Sequence, residues 1–197
     1  MNVWIRTSNG YSIYDYKTGK FDNDYKTTLE KLKIPSKNIL RIGKTPKNEF
    51  WAYDHSKIYI LNIDNNSLKA YPLSIEKISN ISIGVQYIYV MYSNGVLYSI
   101  NKQTSETREI TIPAIYKPLL EDHEPHVYTD QSESIWIYTY QNSLLLYKSN
   151  LTQQWEDICL NSCMIFSTTA YNVSSIWATG MYGFSPATWA GHLQHLE

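Results

Sequence analysis

The sequence predicts an all-β fold of repeated four-stranded antiparallel sheets, and three observations carry that prediction. Short runs of β-branched and aromatic residues alternate with Asn-, Gly- and Asp-rich turns along most of the chain. An aromatic residue leads the same run in five successive copies, at Trp4, Trp51, Tyr89, Trp136 and Trp177, spaced 47, 38, 47 and 41 residues apart. The composition agrees, because 18 Tyr and 6 Trp in 197 residues suit half-buried sheet surface.

The first copy sets the pattern. Val3-Trp4-Ile5 is a β-prone run, Thr7-Ser8-Asn9-Gly10 a turn, and Tyr11 to Tyr14 a second run. A second turn, Asp15 to Lys20, leads to a third strand opening at Phe21. Asn-Gly and Thr-Gly both supply the φ > 0 that tight turns need, so two hairpins follow in quick succession. The second copy runs from Phe50-Trp51-Ala52 to Ile58-Tyr59-Ile60 and the turn Asp64 to Ser67. The third runs from Ile88-Tyr89-Val90 through Ser93-Asn94-Gly95 to Leu97-Tyr98-Ser99 and the turn Asn101 to Thr104. The fourth runs from Ile135-Trp136-Ile137 to Leu144-Leu145-Leu146 and the turn Ser149 to Thr152. The fifth begins at Ile176-Trp177-Ala178. A short run ahead of each later anchor supplies an innermost strand: Ile39 to Ile42, Ile81 to Ile83, His126 to Tyr128 and Met164 to Phe166.

A period of roughly 40–50 residues in a β-rich chain is that of propeller blades, each a four-stranded sheet. The expected architecture is therefore a β-propeller fragment of about four and a half blades. The blades read as 1–37, 38–77, 78–122, 123–163 and 164–197, the last incomplete. Between Asp22 and Lys37 the chain is polar and Lys-rich; Leu29, Leu32 and Ile34 have rough helical spacing, but the polar run predicts a loop with an outer strand. Pro113 to Pro125 reads as the longest irregular connection. The chain opens one residue before an anchor strand and stops part-way through the fifth copy. It thus reads as a piece of a longer protein, with Leu196-Glu197 vector-derived.

Trp4 to Gly10 and Asp15 to Phe21 resemble the two-component regulator propeller repeat, with its Ile-Trp-Ile-Gly-Thr-like strand, Asn-Gly turn and Lys-Thr-Gly-Lys-Phe segment. Ile135-Trp136-Ile137 and Ile176 to Gly180 match it in part, and the copies at Trp51 and Tyr89 depart most. The resemblance implies the periplasmic sensor region of a hybrid two-component histidine kinase of the Bacteroides type. It implies a non-catalytic role, oligosaccharides from glycan breakdown as ligands, and an inner-membrane-anchored parent.

The formal net charge of −1 gives no bias toward nucleic acid or an anionic membrane. No apolar run approaches the ~18 residues of a membrane helix. On the face shared by the turn after each anchor strand, Asp54, His55, Tyr92, Tyr140 and Tyr182 are the candidate ligand-binding residues, with Asn9 beside them. Asp54-His55 also has the form of an acid/base pair, although Asp is favoured in hairpin turns. Glu121, Asp122, His123, Glu124 and His126 carry metal-ligand chemistry, but their spacing matches no compact metal pattern and reads as a solvated acidic loop. Cys159 and Cys163 are two small half-buried residues or, in an oxidising compartment, a disulfide. No phosphate loop, catalytic site, cofactor or metal is expected. The anchors read as packing between blades, leaving Trp155 and Trp189 freer to lie on the surface.

The enzyme alternative is a propeller lyase or hydrolase, and the third reading is a protein-interaction scaffold. Open lateral faces of the outermost blades predict self-association.

Overall fold

The computed structural model describes residues 2–7, 10–35, 38–45, 49–74, 76–121, 123–130, 132–139, 144–157, 163–170, 176–182 and 192–196. For residue 2 and the strands beyond residue 157 the description is of backbone alone. These residues form two compact units, Met1–Ile75 and Glu76–Glu197.

The first unit opens with the two expected hairpins. Strands β1 (Asn2–Thr7), β2 (Gly10–Asp15) and β3 (Lys20–Asp22) make a three-stranded antiparallel sheet. Its register pairs Trp4 with Ile13 and Tyr14 with Phe21. Tyr11 and Ile13 are buried on one side of β2, while Tyr14 gathers Tyr16 and Phe21 on the other, with ring centroids 5.3 and 5.0 Å away.

The segment that follows departs from the loop-and-strand expectation. It forms helix α1 (Tyr25–Lys31), capped by Asp24, whose side chain accepts from the Thr27 N–H at 3.2 Å. The Leu29 and Ile34 side chains that hinted at a helix are buried against Phe50, Ala52, Tyr59 and Leu61. Burial of these apolar groups fixes the helix; the surrounding lysines face solvent. Pro35 lies just past it, where no helical N–H is needed.

The second sheet is four-stranded: β4 (Arg41–Lys44), β5 (Glu49–Tyr53), β6 (Lys57–Asn62) and β7 (Ser67–Pro72), in sequence order. Its inner strand starts two residues later than Ile39, although the Leu40 N–H still bonds the Tyr53 carbonyl. The first two sheets are joined by the Tyr11 hydroxyl, which accepts from the Ile42 N–H at 3.1 Å, and by Trp4, whose ring centre lies 5.3 Å from that of Phe50.

The second unit repeats the plan. Strands β8 (Ile78–Ile83), β9 (Tyr87–Tyr92), β10 (Leu97–Asn101) and β11 (Thr107–Ile110) form one sheet. The connection expected to be irregular instead contains a 3-10 turn, Ala114–Tyr116, and a helical turn, α2 (Lys117–Leu120). Pro118 suits the first turn of a helix, and Leu120 is fully buried in the core, which pins the segment. Strands β12 (His126–Thr129), β13 (Ile135–Tyr138), β14 (Leu145–Lys148) and β15 (Trp155–Asp157) form the next sheet. The last, β16 (Cys163–Ala170), β17 (Ile176–Tyr182) and β18 (His192–Leu196), is three-stranded, and Leu196 pairs with Ile176.

The core between the third and fourth sheets contains Tyr89, Met91, Leu97, Val127, Ile135, Ile137 and Leu146. Tyr89 and Trp136 are buried, as packing anchors should be, whereas Trp4 and Trp51 are half-buried. The Trp51 indole lies over Gly43, its cross-strand partner, where any side chain would collide with the ring.

The turns between third and outer strands share one construction. Asp15, Asn62, Asn101 and Ser149 each accept from backbone N–H groups two or three residues on. The fifth position of each turn is left-handed: Gly19 at φ 67°, Asn66 at 53°, Ser105 at 62° and Gln153 at 59°.

A candidate binding cleft between the third and fourth sheets

Two hydrogen-bonded latches hold the third and fourth sheets together, one at the turns that follow their inner strands and one at the outer strand of the fourth sheet. Glu133 forms the first. It ends the turn joining β12 to β13, at φ 63°, and reaches across to the third sheet. One carboxylate oxygen accepts from the Gln86 N–H at 2.5 Å, and the other accepts from the Tyr89 hydroxyl at 3.0 Å. Gly84 makes this approach feasible, since a Cβ there would run into the Glu133 carboxylate. Burial, followed by the Glu133 charge, raises the pKa of the Tyr89 phenol, so it stays a protonated donor.

Trp155 forms the second latch. Its indole N–H, on the outer strand of the fourth sheet, donates to the Thr111 carbonyl at 2.9 Å. The sequence left this tryptophan for the surface; in the structure it is half-buried and bonded across to the neighbouring sheet.

A cleft of about 520 Å3 lies between the latches. That is within the ~300–1,000 Å3 of small-ligand sites. Tyr87, Arg108 and Ile110 line it from the third sheet, and Lys148, Gln153 and Trp155 from the fourth. The Lys148 ammonium donates to the Gln153 side-chain carbonyl, and the Gln153 amide donates to the Asn150 carbonyl at 2.7 Å. Burial pushes the Lys148 pKa down, because a half-buried ammonium loses hydration. Arg108 stays exposed, paired with Glu106 at 2.9 Å. The arrangement offers amide donors and acceptors, two cations and flat aromatic surface in one concavity.

The residues nominated from sequence have other placements. Asp54 heads the turn between β5 and β6; its carboxylate accepts from the N–H groups of Ser56 and Lys57 and from the hydroxyls of Ser56 and Tyr59. Burial raises its pKa, but these four bonds outweigh that and leave it lowered. His55 is exposed beside it. Tyr92 belongs to the second unit and is only 3% exposed. Tyr182 ends β17, where its backbone pairs with Cys163. Tyr140, Asn9, Asp122, Cys159 and Trp189 lie outside the described residues.

Among the described residues no three His, Cys, Asp or Glu side chains gather as a metal site. His126 instead stacks on Tyr138, with ring centres 5.1 Å apart. No helix among them is long and apolar enough to cross a membrane.

Sequence reasoning passed over Glu133, Lys148 and Gln153. The signal available was periodicity: Glu133 lies 47 residues after Gln86, the interval separating Tyr89 from Trp136. A second signal was Gln153 at a turn position that the first sheet gives to Gly19.

No protein-family model matches the chain, and no curated protein matches it. Solved structures do. Virginiamycin B lyase from Staphylococcus aureus is similar over 100% of this chain and 66% of its own, at 15% identity and a TM-score of 0.57. BamB from Moraxella catarrhalis is similar over 91% of this chain and 51% of its own, at 12% identity and a TM-score of 0.55. YCF48 bound to D1 peptide is similar over 91% and 58%, at 11% identity and a TM-score of 0.56. This chain therefore spans about half to two thirds of those proteins. At such identities the likeness concerns the fold, and the fold is a β-propeller.

Proposed function

We propose that the chain is a non-catalytic binding segment of a propeller sensor, and that it takes a glycan-derived oligosaccharide in the cleft between the third and fourth sheets. The observation that carries this reading is the cleft. It sets the Trp155 and Tyr87 rings beside the amides of Asn150 and Gln153. Flat apolar rings next to fixed amides suit a sugar, which presents hydroxyls at its edges and C–H groups on its faces.

The wider context is part of the proposal. Trp4 to Gly10 and Asp15 to Phe21 support a periplasmic sensor of a hybrid two-component protein, through their resemblance to the regulator repeat. Among the propellers compared, YCF48 was solved with a bound peptide, which makes a peptide the competing ligand. A concavity walled by side chains favours a compact ligand over an extended chain that pairs with a strand edge. His55, exposed on its turn, stays a proposed contact of the first unit.

Calorimetric titration of the protein with a panel of oligosaccharides and short peptides tests the reading. Saturable heat with an oligosaccharide, with no new product by mass spectrometry, is the expected result. Cleavage of the sugar, or saturation by peptides alone, would reject it.

Self-association belongs to the same proposal. Ile5, Tyr16 and Phe21 of the first sheet are exposed large apolar residues. Light scattering is expected to show association that rises with concentration and weakens in Phe21→Ser; a monomer at every concentration rules it out.

A further inference from the structure

We propose that the cleft between the third and fourth sheets selects acidic sugars: Lys148 and Arg108 receive the carboxylate of a uronic-acid residue while its ring lies against the Trp155 indole. The inference rests on the oligosaccharide reading above and adds the charge of the ligand to it.

The balance of charge in the cleft is the main argument. Two cations line it, and Glu133 is the carboxylate among the described lining residues. Both Glu133 oxygens are committed to the third sheet, through the Gln86 N–H and the Tyr89 hydroxyl. The bond described for Lys148 runs to a neutral amide, that of Gln153. Partly burying an ammonium with no carboxylate bonded to it among the described residues is unfavourable, and here burial alone depresses its pKa. A ligand carboxylate supplies the missing charge. Arg108 is joined to Glu106 at the rim, where the pair is exposed and its guanidinium has donors left for a second carboxylate.

The aromatic wall is fixed in advance. The bond from the Trp155 indole to Thr111 locks the ring at 2.9 Å, so no side-chain freedom is lost when a ring stacks on it. The Gln153 side chain also lines the cleft, where it accepts from the Lys148 ammonium.

The experiment compares cellobiouronic acid with cellobiose, its uncharged parent, by isothermal titration of the whole chain. The acidic sugar is expected to bind about tenfold or more tightly, as a charge-assisted hydrogen bond implies. In Lys148→Gln the ratio of the two affinities should fall toward one. Arg108→Gln, at an exposed side chain, is a second variant that folding is not expected to affect, and it should reduce the ratio in the same direction. Equal affinity for the two sugars would overturn the acidic preference and leave the oligosaccharide reading standing. A preference that survives both substitutions would overturn the assignment to this cleft. Failure of both sugars, with saturable binding of an acidic peptide, would overturn the preference and the sugar reading together.

Discussion

The backbone N–H of Thr129 donates to the Ser82 hydroxyl at 2.9 Å, across the seam between two inner strands and 47 residues along the chain. The Val127 N–H reaches Asn80 at the same interval, and so does the bond from Gln86 to Glu133. Tyr89 and Trp136, the aromatic anchors of those sheets, are also 47 apart. The interval read from sequence is thus the distance between places that touch. Ser82→Ala would leave the buried Thr129 N–H without an acceptor, at about 1–3 kcal/mol. Urea unfolding checks it. Ser99→Ala should cost less, since its hydroxyl makes a longer bond of 3.4 Å to the Arg108 carbonyl. Equal costs would mean that the seam bond contributes nothing special.

Glu133 and Tyr89 should be energetically coupled. Glu133→Ala and Tyr89→Phe each remove one side of a partly buried bond. A double-mutant cycle is expected to give about 1 kcal/mol of coupling. A strictly additive pair would show that the latch is loose in solution.

Ser105→Gly is expected to stabilise the protein. Ser105 stands at φ 62°, which costs an L-residue about 1–2 kcal/mol, against the ~0.5–1 kcal/mol of flexibility that glycine adds to the unfolded chain. A net gain of about 0.5 kcal/mol should raise the urea midpoint. A lowered midpoint would mean that the serine side chain has a partner worth more than the strain.

Two carboxylates give opposite pH dependence. The four bonds to Asp54 lower its pKa despite its burial, so its stabilisation is complete above the ordinary value near 3.9 and is lost as pH falls through the lowered one. Asp54→Ala should cost about 1 kcal/mol at neutral pH, allowing for solvent screening, and should flatten the acid limb of stability. Burial raises Asp130 instead, outweighing the N–H groups of Ser134 and Ser132. A raised pKa means stability present in acid and lost as pH climbs through the folded value. Asp130→Asn keeps an acceptor and should remove that loss. Unfolding midpoints measured from pH 3 to 7 distinguish the two limbs.

What the sequence disclosed was local or periodic. The outer turns were readable because Asp15, Asn62, Asn101 and Ser149 close their own backbones, with no help from elsewhere in the fold. Helix α1 was less readable: Leu29 and Ile34 gave the right spacing, but the polar, Lys-rich stretch around them argued for a loop. Burial of Leu29 and Ile34 under Phe50 and Tyr59 decides that element, and burial of this kind is tertiary information. The cleft was least readable. Lys148 and Trp155 acquire meaning only when their sheet lies beside Arg108 and Thr111, some forty residues earlier. Asp54 and His55 stand out in sequence because they are adjacent, but the Asp54 carboxylate is spent on its own turn and on the neighbouring Tyr59 hydroxyl.

The seam at Ser82 has a consequence for exchange of parts. Its donors are main-chain N–H groups, which every residue but proline provides. For these two bonds compatibility is therefore written on one partner alone, in the small hydroxyl of Ser82 and the amide of Asn80. A sheet grafted from a distant propeller could make these two inner-strand bonds whatever its residues there, except that proline at the places of Val127 or Thr129 would cut the join.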